Sequence, residues 1–267
     1  MTTQALEAWR TVRGELDEVL GSLSDEEWLM PSACAGWRVR DVVAHLGAGA
    51  RAPIDPLPDP PDAPPMPENR ERQHDVTVSR RHGWSIAEVL DEYHTYLPKV
   101  TDLVASLQVS PAAEQPFPVP GLGVYPAHSV ANAMVFDYYC HLRHDLLAPA
   151  GPLVRTLPPP GHDAVYSAVV WMMLGLPQMQ GTELDDTVTV PVTFNFTGPG
   201  ESVWTVHRPE REGGLVVEEV GGGDVVVTST ADSFIAWGTQ RRHWRTDCTV
   251  SGAQHLAEPL LDALNII

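Results

Sequence analysis

Positive charge is scarce in this chain. Its 267 residues carry 17 Lys and Arg against 35 Asp and Glu, a net charge of −18 at pH 7. Binding a phosphate backbone rests on Lys and Arg, so no nucleic-acid partner is expected. The acidity selects no activity by itself; it fits solubility in an acidic proteome of actinobacterial or halotolerant type. Cysteine is sparse too. Cys34, Cys140 and Cys248 are an odd number, far apart, with no CxxC pair. That pattern fits a reducing cytoplasm, with each thiol read as a small buried hydrophobe. Long apolar runs are missing: nothing approaches the roughly 20 residues that span a bilayer, and no membrane partner is expected. The first twenty residues make an amphipathic helix pattern in place of a cationic start and an apolar block, so no signal peptide is expected. There is no internal repeat.

What is present divides into two textures. In the first half, Leu6, Trp9, Val12, Leu16, Val19, Leu20 and Leu23 recur at helical three-and-four spacing. Ser24 with Glu27, and Ser85 with Glu88, are capping boxes that open helices. A Gly-Trp turn at 36–37 leads into a short helix with Val42, His45 and Leu46 on one face. Residues 51–69 hold so many prolines that no regular helix survives; they read as a loop, a stiff connector or a lid. A long helix follows Ser85, with Pro98 as its kink point. A second proline-rich connector, 111–126, leads to a helix that ends before Pro149. Four helices joined by loops predict a bundle. After about residue 155 the pattern changes. A helix is expected over 162–175. "TVTVPVTFNF" then alternates as a half-buried strand, placed at a sheet edge because Pro191 cannot donate to a ladder. Three short strands follow at hairpin intervals, then a helix from Ala231 or Asp232, a strand over 246–250 and a closing helix in "AEPLLDALNI". The expected fold class is α+β: an N-terminal four-helix bundle, residues 1–152, followed by a smaller antiparallel-sheet domain with helices, residues 153–267.

The stretch "FDYYCHLRHDLL", 136–147, carries the chemistry. As a straight helix it sets Asp137, His141 and His144 on one side, in line with Val130 and Met134. Such groups are costly to bury unless something pairs with them, and both a metal ion and a hydrogen-bond network would serve. Asp137 and His141 stand one turn apart, a spacing that chelates one ion. His45, mid-helix on an apolar face, offers a third donor from another helix. Two His and one carboxylate suit Zn²⁺, Fe²⁺, Mn²⁺ or Ni²⁺ with a coordination position left open. His144 reads as a fourth ligand, an orienting donor behind the ligands, or a pocket wall. Trp28 and Trp37 read as packing residues. His74, His82, His94 and His128 have no partner spacing and are assigned surface or hydrogen-bonded roles.

The segment "LSDEEWLMPSACAGWRVRDVVAHL", 23–46, resembles the N-terminal signature of the mycothiol-dependent maleylpyruvate isomerase family, within the wider DinB-like metal-binding bundles. The resemblance implies a DinB-like bundle that holds a divalent metal, usually zinc, through a His in that segment and a carboxylate-x-x-x-His pair on the last helix. Those positions fall on His45, Asp137 and His141. Two departures stand out. The family usually has Glu where this chain has Asp137, and its usual H-x-W-D ending is replaced by "HLRHD", with one extra residue between His141 and Asp145. The C-terminal half resembles the family's sterol-carrier-like domain, with "ADSFIAWGTQRRHW" at its Gly-Arg-Arg-like element. The implied activity is that of a thiol enzyme, isomerase or S-transferase, using mycothiol or a similar low-molecular-weight thiol on a small electrophilic substrate. The thiolate adds to an activated double bond, the resulting single bond rotates, and elimination gives the trans isomer. The implied helpers are His144 or Asp145, to orient a ligand or shuttle a proton, and Arg241 or Arg242, to pair with a substrate carboxylate. A solvated surface ion pair is the other reading of both arginines. A DinB-like metal hydrolase and a non-catalytic metal- or ligand-binding regulatory protein are the competing functions.

Overall fold

The computed structural model describes residues 3–67, 69–180, 182–209 and 214–266. Helix α1 (Thr3–Gly21) buries the stripe its spacing predicts, from Leu6 and Trp9 to Val19 and Leu20. The short α2 (Asp25–Trp28) opens on the Ser24–Glu27 capping box, each residue satisfying the other's backbone N–H. Helix α3 (Val39–Arg51) follows a turn at Gly36, whose φ of +82° favours glycine, and carries His45 on its buried side. Helix α4 (Arg70–Ser79) is an addition to the sequence expectations. No apolar stripe marks it, and its start is set by Asn69, whose side chain accepts from Arg72 N. Helix α5 (Ile86–Ser106) begins at the Ser85–Glu88 box, runs through Pro98 as one element and packs along α3.

The connector expected at 111–126 contains a hairpin, β1 (Pro116–Val119) with β2 (Gly123–Pro126). Prolines sit in the pairs Pro116–Pro126 and Pro118–Val124, so the alternate pair Phe117–Tyr125 keeps its amides for the ladder. Helix α6 (Val130–Cys140) packs on α1 and passes directly into a π-helical turn over 141–146. Helices α1, α3, α5 and α6 make the bundle.

Helix α7 (His162–Met179) runs four residues past the expected end and lies against α1 and α6. After α8 (Thr182–Asp185) come β3 (Val192–Thr197), β4 (Ser202–His207), β5 (Val216–Glu218), β6 (Val225–Thr230), α9 (Ala231–Gly238), α10 (Trp244–Asp247), β7 (Thr249–Ser251) and α11 (Gln254–Ala263). The sheet order is β5-β4-β3-β6-β7. Two expectations change here. The strand expected at an edge is central, because the ladder starts at Val192, one residue after Pro191, and the missing N–H breaks no bond. The sheet is also not wholly antiparallel, since β3 and β6 pair in parallel. Glycines 221–223 bring the chain back past the start of β3: Gly223 N donates to Thr193 Oγ1 at 2.8 Å, and a Cβ on Gly223 would meet Pro191 O at 2.4 Å. One continuous apolar core joins the bundle, α7 and the sheet. Among the described residues no helix is long and apolar enough to cross a membrane.

Candidate metal centre

Three of the residues singled out by sequence converge. His45 on α3, Asp137 on α6 and His141 at the start of the π-turn offer donor atoms that all lie within 4.8 Å of one another. Asp137 Oδ1 is 3.2 Å from His45 Nε2 and 3.4 Å from His141 Nε2. Burial alone would raise the Asp137 carboxyl, but the charge of His45 and hydrogen bonds from both imidazoles hold it well below the usual carboxylate range. His141 is the mirror case. Burial would lower its pKa, and hydrogen bonds to Asp137 and Asp145 push it well above the ordinary value.

The π-turn explains why the extra residue in "HLRHD" does no harm. Its i→i+5 bonds, such as Leu147 N to Leu142 O at 3.2 Å, widen the helix by about one residue per turn. Asp145 therefore comes round to His141, and His144 is carried off that side. His141 Nδ1–H donates to Asp145 Oδ2 at 2.8 Å. His144 instead faces Asp232 at the start of α9, Nε2 to Oδ1 3.2 Å, away from the trio. The structure thus separates His144 from the two residues that a straight helix would align it with.

The two arginines also part company. Arg241 donates from Nε and Nη2 to the two oxygens of Asp145, both at 2.8 Å. It is aimed there by a helix end: Gln240 adopts φ +56°, with Gln240 N bonded to Trp237 O and Arg241 N to Ala236 O, the pattern of a Schellman cap with Gln in place of Gly. Arg242 turns outward to Asp247 at 2.7 Å with half its side chain exposed, and the structure does not bring it to the trio. Burial, overcome by the charge and hydrogen bonds of Arg241 and His141, leaves Asp145 well below the usual carboxylate range.

Residues read from the sequence as surface, packing or small buried groups complete the surroundings. The His74 ring lies 4.5 Å from the His45 ring. Burial, with His45 and Arg70 nearby, lowers His74 to about 3, so it is neutral at pH 7. Trp37 stacks on His141 at 6.2 Å, lies 5.3 Å from His45, and is fixed by a bond from Nε1 to Asp75. Cys34 Sγ is 3.7 Å from His141 Nδ1. For Asp145 a signal existed: it repeats the four-residue spacing of Asp137 and His141. For His74 none existed, because α4 has no periodic stripe. The cavity of about 310 Å³ between α1 and the start of α7 is lined by none of the trio.

The donor set fits a divalent cation. Ligand atoms about 2.1 Å from a tetrahedral zinc stand about 3.4 Å apart, close to the separations from Asp137 Oδ1. The bond from His141 Nδ1 to Asp145 fixes the imidazole so that Nε2 faces Asp137, the carboxylate–histidine arrangement that metal sites use. A family model for the mycothiol maleylpyruvate isomerase N-terminal domain matches residues 9–146, a span that contains the trio and Asp145. The chain belongs to this family. Crystal structures of the mycothiol-dependent maleylpyruvate isomerase, and of a histidine-to-alanine mutant of it, align over 94% of this chain and 93% of theirs, at a TM-score of 0.57 and 12% identity. At that identity the likeness is one of fold. No curated protein matches the chain. In this member of the mycothiol maleylpyruvate isomerase family, then, the bundle unites three donors, and the sheet half supplies the arginine behind them.

Proposed function

We propose that the chain is a metal-dependent thiol enzyme, an isomerase or S-transferase that uses mycothiol or a similar low-molecular-weight thiol, with His45, Asp137 and His141 holding the metal. The observation that carries this reading is the convergence of their three donor atoms within 4.8 Å. Two imidazoles and one carboxylate suit zinc among several divalent cations, and the family resemblance points to zinc. A divalent cation held there supplies a Lewis-acid position that lowers the pKa of a thiol. The chain's own residues do the rest. Asp145 accepts from His141 Nδ1 and keeps its Nε2 edge turned inward. Arg241 keeps Asp145 ionised and oriented. Trp37 covers one side of both imidazoles and limits water there. The reading takes residues 1–152 and 153–267 as two domains that meet across the Asp145–Arg241 pair, in the cytoplasm where such thiols are kept.

Elemental analysis tests the metal. Wild type should hold about one equivalent of zinc after supplementation, and Asp137→Ala and His141→Ala should hold far less. The thiol is tested separately. Mycothiol should alter the visible spectrum of the Co²⁺-substituted protein; an unchanged spectrum would redirect the reading to a metal hydrolase.

A further inference from the structure

His141 has two ring nitrogens, and the structure sets donors against both. Nε2 faces Asp137 Oδ1 of the trio at 3.4 Å. Nδ1 faces a different set, Asp145 Oδ2 at 2.8 Å and Cys34 Sγ at 3.7 Å. Donor atoms of Cys34, His141 and Asp145 all lie within 4.8 Å of one another. Among the described residues no such group includes Cys140 or Cys248.

Backbone bonds deliver the thiol. Cys34 sits in the turn between α2 and α3, where Cys34 N donates to Ser32 Oγ and Trp37 N donates to Cys34 O. Ala33 N donates to the carbonyl oxygen of Asp145 at 3.0 Å, which ties this turn to the π-turn. His141 and Asp145 are buried, whereas Cys34 is half-buried and gives an ion its way in from solvent.

Spacing and chemistry both fit a metal. Sulfur about 2.3 Å and nitrogen about 2.1 Å from a tetrahedral ion stand about 3.6 Å apart. The nitrogen–oxygen gap is shorter because it is spanned by a hydrogen bond, and an ion replacing that bond opens it to about 3.4 Å. Arg241 sets the choice of ion. Its guanidinium already donates to both oxygens of Asp145, and a positive neighbour penalises any cation. Only an ion with a strong bond to sulfur offsets that penalty, which excludes magnesium and calcium and favours thiophilic ions.

We propose that Cys34, His141 Nδ1 and Asp145 form a second cation position, selective for a thiophilic ion such as Cd²⁺ or Cu⁺, which competes with the trio for His141. On binding, the Cys34 thiol gives its proton to water. The ring proton leaves Nδ1, and a proton from solvent returns to Nε2, which then donates to Asp137 Oδ1. The ion keeps its charge throughout. An imidazole protonated at Nε2 offers the trio no lone pair, so the two positions fill one at a time. The second position stands on Cys34 and Asp145, outside the trio; the competition rests on the metal–thiol reading above.

Cadmium is the probe, added to the full chain kept reduced by a phosphine. A thiolate-to-cadmium absorption band reports the sulfur, a zinc-binding dye reports released zinc, and circular dichroism reports the fold. Metal-free wild type should develop the band with about one equivalent of cadmium. Cys34→Ser should lose the band and keep wild-type zinc affinity. Zinc-loaded Cys34→Ser should need at least about tenfold more cadmium than wild type to release its zinc. Asp137→Ala should show the reverse, with little zinc and the band at wild-type strength. Cys248→Ser should behave as wild type, and Cys34→Ala repeats the test if the serine variant does not fold. No band in wild type, a band that survives in Cys34→Ser, or one that disappears in Cys248→Ser or Asp137→Ala, overturns the second position. A Cys34-dependent band that forms while wild type keeps its zinc overturns the competition for His141. Wild type that binds no zinc, yet shows the Cys34-dependent band, overturns the metal–thiol reading and leaves the second position standing.

Discussion

The two halves of the molecule bury different kinds of polar group. Among the described residues, the buried acids, bases and imidazoles all precede residue 146: Asp41, His45, Arg81, Glu92, His141 and Asp145. After it the buried polar side chains are hydroxyls, Ser167, Thr193, Thr205 and Ser229. The difference is energetic. A hydroxyl is satisfied by one or two neutral bonds, as Thr193 is by Thr205 and Gly223 N. A buried charge is costly unless it is paired and fully bonded. The bundle accepts that cost where its donors converge and again at the Arg81–Glu92 pair, and the sheet half avoids it. The sheet half nonetheless reaches across beside these groups, through Arg241 to Asp145 and through Asp232, which accepts from Tyr139 at 2.7 Å.

The sharpest way to break this division is to damage one half and read the other. Phe194 in central β3 is fully buried and stacks on Phe196 and Trp237. Phe194→Ala should cost about 3–5 kcal/mol in chemical denaturation and leave zinc stoichiometry unchanged below the unfolding transition. Loss of zinc from the still-folded variant would show that the halves are one energetic unit. The next effect runs through the crossing. Asp145→Asn removes the negative charge and one of the two acceptor oxygens shared by His141 and Arg241, and zinc affinity should fall about 10–100-fold, or roughly 1.4–2.7 kcal/mol, as read by competition with a chelator. Unchanged affinity would mean that His141 needs no support from the Asp145–Arg241 pair.

A smaller effect tests the second crossing. Burial would raise Asp232, but hydrogen bonds and charge from His144, with Tyr139, hold it below its ordinary value of 3.8. A depressed carboxylate gives stability that is complete above the unfolded value and is lost as pH falls through the lower folded value. Asp232 is partly exposed and so screened, and Asp232→Asn should cost about 1 kcal/mol at pH 7. The gap from wild type should close as pH drops below 3.8. A gap that persists at lower pH would assign the effect to packing.

The bundle and the Asp137–His141 pair were legible because both rest on local rules, while His45 was joined to them by the family resemblance. Capping boxes and three-and-four spacing mark α1 and α5, and the four-residue step from Asp137 to His141 holds because α6 is still an α-helix there. What failed to show depended on geometry set elsewhere. A straight-helix projection puts His144 in the seam, and the π-turn takes it out to Asp232 while Asp145 still faces His141. The hairpin at 116–126 was hidden because prolines normally break ladders, and only its pairing register shows that they occupy alternate pairs. His74 and Arg70 lie on a helix with no apolar stripe, so nothing local announced that α4 faces the centre. Arg241 and Arg242 could not be told apart until the left-handed Gln240 fixed which one turns inward.

That last distinction gives the smallest predicted effect. Arg242 follows Arg241 directly, carries the same charge and pairs with Asp247 at 2.7 Å in a half-exposed position. An ion pair so placed is screened by water and holds a long side chain in one geometry, so its net value is small. Arg242→Ala should shift stability by about 0.5 kcal/mol or less and leave zinc affinity at the wild-type value. The neighbouring chain gives the reason. Arg241 N and Arg242 N both bond to Ala236 O, so the cap that aims Arg241 is held by backbone and does not need the second guanidinium. A fall in zinc affinity on Arg242→Ala would mean that the cap depends on the Arg242–Asp247 pair, and the crossing from sheet to bundle would then begin one residue later than the Asp145 contact indicates.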